Sequence, residues 1–255
     1  MTHQLTLTAL PNIPLVKPGD DLAVIFLDSL QEAKIKLQND DVLVIAQKII
    51  SKAEGRLVKL STVTPSARAI GIARQVEKDP RQVEVILSES KEIVRMRPGV
   101  LVVEHRLGFV CANAGVDRSN VEAVGGEEYL LLLPENPDRT CAELREKLRA
   151  ETGATLGIII NDSHGRAWRN GAVGVAIGTA GIPALLDLRG RTDLFNHTLN
   201  VTQIGLADEL AAAASLLMGQ ADEGRPVIHA RGVPYPFREG TARELIREKE
   251  LDMFR

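Results

Sequence analysis

The chain reads as an α/β protein of mixed, partly antiparallel sheets with flanking helices, and three features predict this. A continuous β-branched run at 42–46, bounded by polar residues, has the character of a strand buried on both faces. The apolar runs 99–104 and 108–112 are separated only by His105, Arg106 and Leu107, which suits an antiparallel pair and argues against a simple doubly wound sheet. From Ala207 to Met218 the chain is rich in good helix formers, with Leu206, Leu210, Ala214 and Leu217 on one face.

In chain order, 5–10 alternates like a short strand, and Pro11, Pro14 and Pro18 then impose a loop. Asp20 and Asp21 can cap a helix whose apolar positions Leu22, Ile25, Phe26 and Leu30 recur at helical spacing. A polar turn at 38–41 opens the 42–46 strand, whose exit carries Gln47, Lys48, Ser51 and Lys52. Residues 66–77 read as a helix closed by Asp79-Pro80, and 83–87 as another strand. The hairpin around His105 follows, then a strand at 129–133 stopped by Pro134. A helix from Asp138 to about Thr152 has Gly153 as its stop, and a strand follows at 156–160. Gly171, Gly174, Gly178 and Gly181 signal turns or bent strands with close backbone approach. Gly219 ends the 207–218 helix, and 226–230 forms a last short strand.

Composition bounds the function. With 255 residues, 44% hydrophobic and 25% charged, the chain can build one compact unit or two intimately packed subdomains. A net charge of -3 lacks the broad basic surface that duplex nucleic acid demands, so no nucleic-acid role is expected. Two cysteines, Cys111 and Cys141, make no disulfide framework, which points to a reducing compartment, the cytoplasm. No basic and apolar leader opens the chain, and no uncharged run reaches the roughly 18 residues of a membrane span, so no membrane partner is expected.

Two segments carry the chemistry: Asn113-Ala-Gly-Val-Asp117-Arg-Ser-Asn120 and Asn161-Asp162-Ser163-His164-Gly165-Arg166. Each sets a carboxylate beside hydroxyl, amide and guanidinium groups at the end of an apolar run. Hard divalent cations favour such oxygen ligands, and Mg²⁺ commonly takes one or two carboxylates plus substrate phosphates. Lys48 and Lys52, four residues apart, offer point charge to phosphates, although such a pair is ordinarily a solvated face. No Gly-x-Gly-x-x-Gly or Gly-x-x-x-x-Gly-Lys fingerprint occurs, and none of the five histidines has zinc-ligand spacing. Cys111, flanked by apolar residues, reads as a small core residue. The residues alone are compatible with a metal-dependent phosphohydrolase acting on a nucleotide or phosphate ester, and with a non-catalytic binding protein.

The succession Ile13-Pro-Leu-Val16, Ala46-Gln-Lys-Ile-Ile-Ser-Lys-Ala-Glu-Gly-Arg56, the 113–120 segment, Asp162-Ser-His-Gly-Arg166, Asp187-Leu-Arg-Gly190 and Met218-Gly-Gln-Ala-Asp-Glu-Gly224 resembles the coenzyme F420:L-glutamate ligase family, in the family's order, from about Pro11 to Gly232. The resemblance implies an unusual two-part fold and a homodimer. It also implies the stand-alone ligase, without the C-terminal nitroreductase-like domain fused to it in some actinobacteria. The implied reaction is GTP-dependent amide formation assisted by Mn²⁺ or Mg²⁺ and K⁺, in which L-glutamate is added to coenzyme F420-0 through an acyl phosphate and further γ-linked glutamates follow. Carried over by position, the metal ligands are Asp117, Asp162 and Ser163, with Asp117 and Asp162 at the catalytic centre. The nucleotide contacts are Ile13, Pro14, Leu15, Val16, Gln47, Lys48, Lys52, Asn120 and Gln220. The second segment departs from the family's usual Ser-Asp-Thr-Phe-Gly-Arg-Pro-Trp-Arg: Ser163 keeps the hydroxyl, while His164 replaces an aromatic apolar residue.

Overall fold

Alternation within two strands sets the architecture. In a computed structural model that describes residues 3–119, 126–234 and 238–254, β2 (Val42–Ala46) and β8 (Gly157–Arg166) lie side by side and parallel. They are the third and fourth strands of a five-stranded sheet ordered β1 (Thr6–Ala9), β12 (Val227–Arg231), β2, β8, β9 (Arg169–Ala180). The other pairings in this sheet are antiparallel, so the predicted mixed α/β architecture is present.

Because successive side chains on a strand point to opposite faces, Leu43, Ile45, Ile158 and Ile160 serve one core while Val42, Val44 and Ile159 serve another. The first is covered by α1 (Leu22–Glu32) and α5 (Pro137–Thr152), which bring in Phe26, Leu30, Leu144 and Leu148. The second is covered by α6 (Leu206–Met218), through Leu206, Leu210 and Ala214. Caps agree with the sequence: the Asp21 side chain accepts from the Ala23 amide at the start of α1, and Gly153 closes α5 in the left-handed region.

A third core packs β5 (Val100–His105) against α3 (Ala67–Val76) and α4 (Pro80–Ser88), with Val76, Val83, Ile86, Leu101 and Val103 buried. Here β4 (Ser90–Arg97), β5 and β6 (Val110–Ala112) form an antiparallel sheet, which delivers the hairpin expected around His105. Two small antiparallel pairs complete the strands: β3 (Leu57–Lys59) with β7 (Tyr129–Leu131), and β10 (Leu186–Asp187) with β11 (Gln203–Ile204).

Two expectations are corrected. Residues 83–87 are not a strand but the body of α4. The Asp79 carboxylate accepts from the Arg81 amide and Pro80 occupies the first turn, so a strong start signal overrides the β-branched run. The strand expected at 156–160 does not stop before the second acidic segment. It runs on to Arg166, because β9 supplies ladder partners as far as the turn at Ala167-Trp168, and Asp162 therefore sits inside a hairpin. Trp168, at the tip of that hairpin, is 86% exposed.

Candidate functional site

The parallel pair β2/β8 organises the site. In the register, Ala46 lies opposite Asn161, so both chains leave this level toward the same edge: one enters α2 (Gln47–Ala53), the other continues into Asp162. The space beyond the carboxyl ends of parallel strands is where α/β proteins habitually hold ligands. Lys48, in the first turn of α2, reaches from this edge to Asp117, with which it forms an ion pair.

Asp117 is delivered by the other sheet. After β6 the chain turns at Asn113–Gly115, with Asn113 and Ala114 at positive φ, and Asp117 then exchanges both backbone hydrogen bonds with Leu131. Its carboxylate accepts the Ser119 amide and the Ser119 hydroxyl, each at 2.8 Å, while Lys48 Nζ also donates to Ser119 Oγ at 2.6 Å. Burial alone would push the Asp117 carboxyl up. The Lys48 ammonium and Ser119 donors outweigh that and hold it below the usual carboxylate range.

Asp162 and His164 share one face of β8, and His164 Nε2 lies 2.9 Å from Asp162 Oδ2. Ser163 falls on the opposite face by strand alternation and reaches the Asp162 carboxylate through its backbone amide, at 2.8 Å. Behind Asp162, Asn161 is buried and donates to Ser215 Oγ and Met218 sulfur, fastening the strand to α6. The Cys111 thiol is pushed up to about 12, mainly by burial and then by the Asp162 carboxylate, which keeps it a neutral core group and no nucleophile.

The remaining residues marked by the sequence scatter around this edge. Ile13, Pro14, Leu15 and Val16 form the irregular link from β1 to α1, where Val16 is buried and Leu15 is exposed. Gln47 is buried with its Oε1 taken by the Ser51 hydroxyl at 2.9 Å. Lys52 lies one turn beyond Lys48 on α2. Gln220 is exposed just past the C-cap Gly219 of α6. Asn120 lies outside the described residues. Three polar groups near the site carried no functional signal in the sequence: Asp138, Asp208 and Arg243. The two aspartates looked like ordinary first-turn helix residues, and nothing local betrays that the fold brings them together with Arg243 at one cavity.

Comparison with known proteins agrees over nearly the whole chain. Residues 11–232 match the family model described as F420-0:Gamma-glutamyl ligase. A coenzyme F420:L-glutamate ligase from Methanopyrus kandleri is 47% identical over 244 residues, covering 94% of this chain and 93% of its own. Enzymes of the same name from Methanococcus maripaludis and Methanothermobacter thermautotrophicus are 45% and 44% identical, over 95% and 98% of this chain and 94% and 99% of theirs. The chain belongs to the F420-0:gamma-glutamyl ligase family.

Proposed function

We propose that this chain is a GTP-dependent ligase of coenzyme F420 biosynthesis that joins L-glutamate to the terminal carboxylate of F420-0 and then extends it by γ-linked glutamates. The observation that carries the reading is the Lys48–Asp117–Ser119 cluster at the carboxyl edge of β2/β8, the edge at which β8 passes from Asn161 into Asp162, in a chain of this family. Phosphoryl transfer is chiefly a matter of positioning and charge neutralisation, and this edge gathers cations and carboxylates for both.

The donor set fits a hard divalent ion. Asp117 already holds a cation, the Lys48 ammonium, and carboxylate and hydroxyl oxygens are what Mn²⁺ and Mg²⁺ prefer. Among the described residues no three His, Cys, Asp or Glu side chains gather as a complete cage, which suits an ion that takes much of its shell from phosphates and water. In this reading Asp117, Asp162 and Ser163 are the metal ligands, and the Ser163 hydroxyl, which leaves the opposite face of β8 from Asp162, would have to turn to join the two carboxylates. Bound metal, with K⁺ assisting, would neutralise phosphate charge and align the reacting oxygens.

Lys48 then passes from Asp117 to a phosphate oxygen, and Lys52 adds a second positive charge one turn along α2. Ile13, Pro14, Leu15, Val16, Gln47, Asn120 and Gln220 contact the nucleotide. The terminal phosphoryl group moves from GTP to the acceptor carboxylate and GDP departs. The glutamate nitrogen attacks the acyl carbon, phosphate leaves with the bonding pair, and the amine proton is released. The same reading makes the chain a single ligase unit working as a cytoplasmic homodimer, for which exposed Trp168, Leu194, Phe195 and Val201 provide apolar surface.

Mass spectrometry of a reaction holding the protein, GTP, Mn²⁺, K⁺, L-glutamate and F420-0 is the test. Products heavier by one or more glutamyl units, formed only with GTP, are expected. Phosphate release without any glutamylated product would replace the ligase by a phosphohydrolase. Asp162→Asn is expected to abolish metal-dependent turnover with the circular dichroism spectrum unchanged, and near-normal activity in that variant would remove Asp162 from the site.

A further inference from the structure

A cavity of about 540 Å³ opens beside Asp162, between β6, β9, the start of α6 and the turn at Ala242–Leu245. That is within the range of about 300–1,000 Å³ usual for small-molecule sites. Its lining carries both signs of charge. It holds Asp138, Asp208 and Asp252, His164, which touches Asp162, and the two guanidinium groups of Arg243 and Arg247; Phe109 and Val175 supply apolar wall.

Asp208, like Asp138 in the same lining, has its carboxyl raised by burial and is engaged by backbone amides alone. Its Oδ1 accepts from the Ala176 amide at 2.8 Å, but no lysine or arginine among the described residues pairs with it. Burial pushes its carboxyl up, and the Ala176 amide and the His164 ring offset this only in part, so the group stands short of positive charge. Arg243 and Arg247 are exposed and form no ion pair among the described residues, although Arg247 lies over the Phe254 ring. The lining thus offers groups of both signs, a carboxylate with no cationic partner in Asp208 and two guanidinium groups in Arg243 and Arg247, to which a zwitterionic ligand would bring the opposite charges.

We infer that this cavity is the subsite for the incoming amino acid, with Asp208 receiving the α-ammonium and Arg243 and Arg247 the carboxylates of L-glutamate. The inference rests on the ligase reading above. A carboxylate-bearing acceptor alone would be repelled by Asp208 and Asp138 of the lining, whereas an amino dicarboxylic acid brings a partner for the carboxylate as well as for the guanidinium groups. With His164 lining the cavity and contacting Asp162, the amine held there faces the carboxylate edge at which the acyl group is activated.

The test is steady-state glutamylation by Asp208→Asn and Arg247→Gln, with KM measured separately for L-glutamate and GTP. Asparagine keeps an acceptor for the Ala176 amide, and Arg247 is a surface residue whose loss leaves the fold intact. Removing one charge-assisted contact should raise the KM for L-glutamate about tenfold and leave that for GTP within about twofold. Unchanged glutamate KM in both variants, with product still formed by the wild type, would overturn the subsite and leave the ligase standing. If the wild type forms no glutamylated product, the ligase reading fails by itself. Saturation-transfer NMR of L-glutamate with the wild type and Arg247→Gln then decides the subsite: binding lost in the variant sustains it, and no binding to the wild type ends it. Should Asp208→Asn not fold, Arg247→Gln decides alone.

Discussion

Two guanidinium groups and an imidazole converge on Glu89. Its Oε2 accepts from Arg56 Nη2 at 2.9 Å and Arg106 Nε at 2.8 Å, and His105 Nε2 lies 3.6 Å away. Burial would raise the Glu89 carboxyl, but His105, Arg106 and Arg56 bring it from 4.5 down to about 2. A lowered carboxylate stabilises the fold above its ordinary value and ceases to as pH falls from about 4.5 toward 2, a contribution of roughly 3 kcal/mol at neutrality. Fully buried His105 acts in the same direction: burial lowers its pKa, so acid must charge it at the expense of folding. Denaturant unfolding of Glu89→Gln should show a deficit of about 3 kcal/mol at neutral pH that narrows in acid; a deficit independent of pH would refute this account. At this scale the sequence was legible where chemistry is local. Asp117, Ser119, Asp162 and His164 lie within short segments whose composition announces a polar site. Asp208 and Arg243 were not, because their meeting depends on how α6 and the chain after β12 pack, which no local spacing encodes.

Among the elements, caps were readable and extents were not. Asp21 and Gly153 mark helix ends by side-chain or backbone chemistry that acts within a few residues, and the structure uses both. The run at 83–87 was misleading because a short apolar stretch suits strand and helix alike, and the decision rested with Asp79 and Pro80 upstream. The reach of β8 depended on a distant partner: glycines in β9 let helices press against the hairpin. A Cβ on Gly178 would stand 2.5 Å from Pro137 Cβ at the start of α5, and one on Gly174 would stand 2.6 Å from Asn161 Oδ1 and 2.5 Å from the Ala211 carbonyl in α6. Gly178→Ala is therefore expected to cost about 1–3 kcal/mol by overpacking a backbone-lined contact. A thermal midpoint equal to wild type would mean that α5 can slide away. Gly171, at positive φ in open space, should accept alanine sterically but with backbone strain, a smaller loss.

Across the whole molecule, the reactive edge is shared between sheets that have separate cores. Lys48 leaves the five-stranded sheet, Asp117 comes from beyond the three-stranded one, and their ion pair joins the two. The hairpin that carries Asp162 ends in the chain's one tryptophan, which the folded protein leaves almost entirely in water. Its indole meets the same solvent before and after unfolding. In the separated protomer, intrinsic tryptophan emission should thus be nearly silent while denaturant removes the helical circular dichroism signal. It should shift to the blue only when another surface covers the hairpin tip, which turns a routine optical probe of folding into a reporter of association. A large red shift on unfolding of dilute protein would show instead that the indole is covered in the native state.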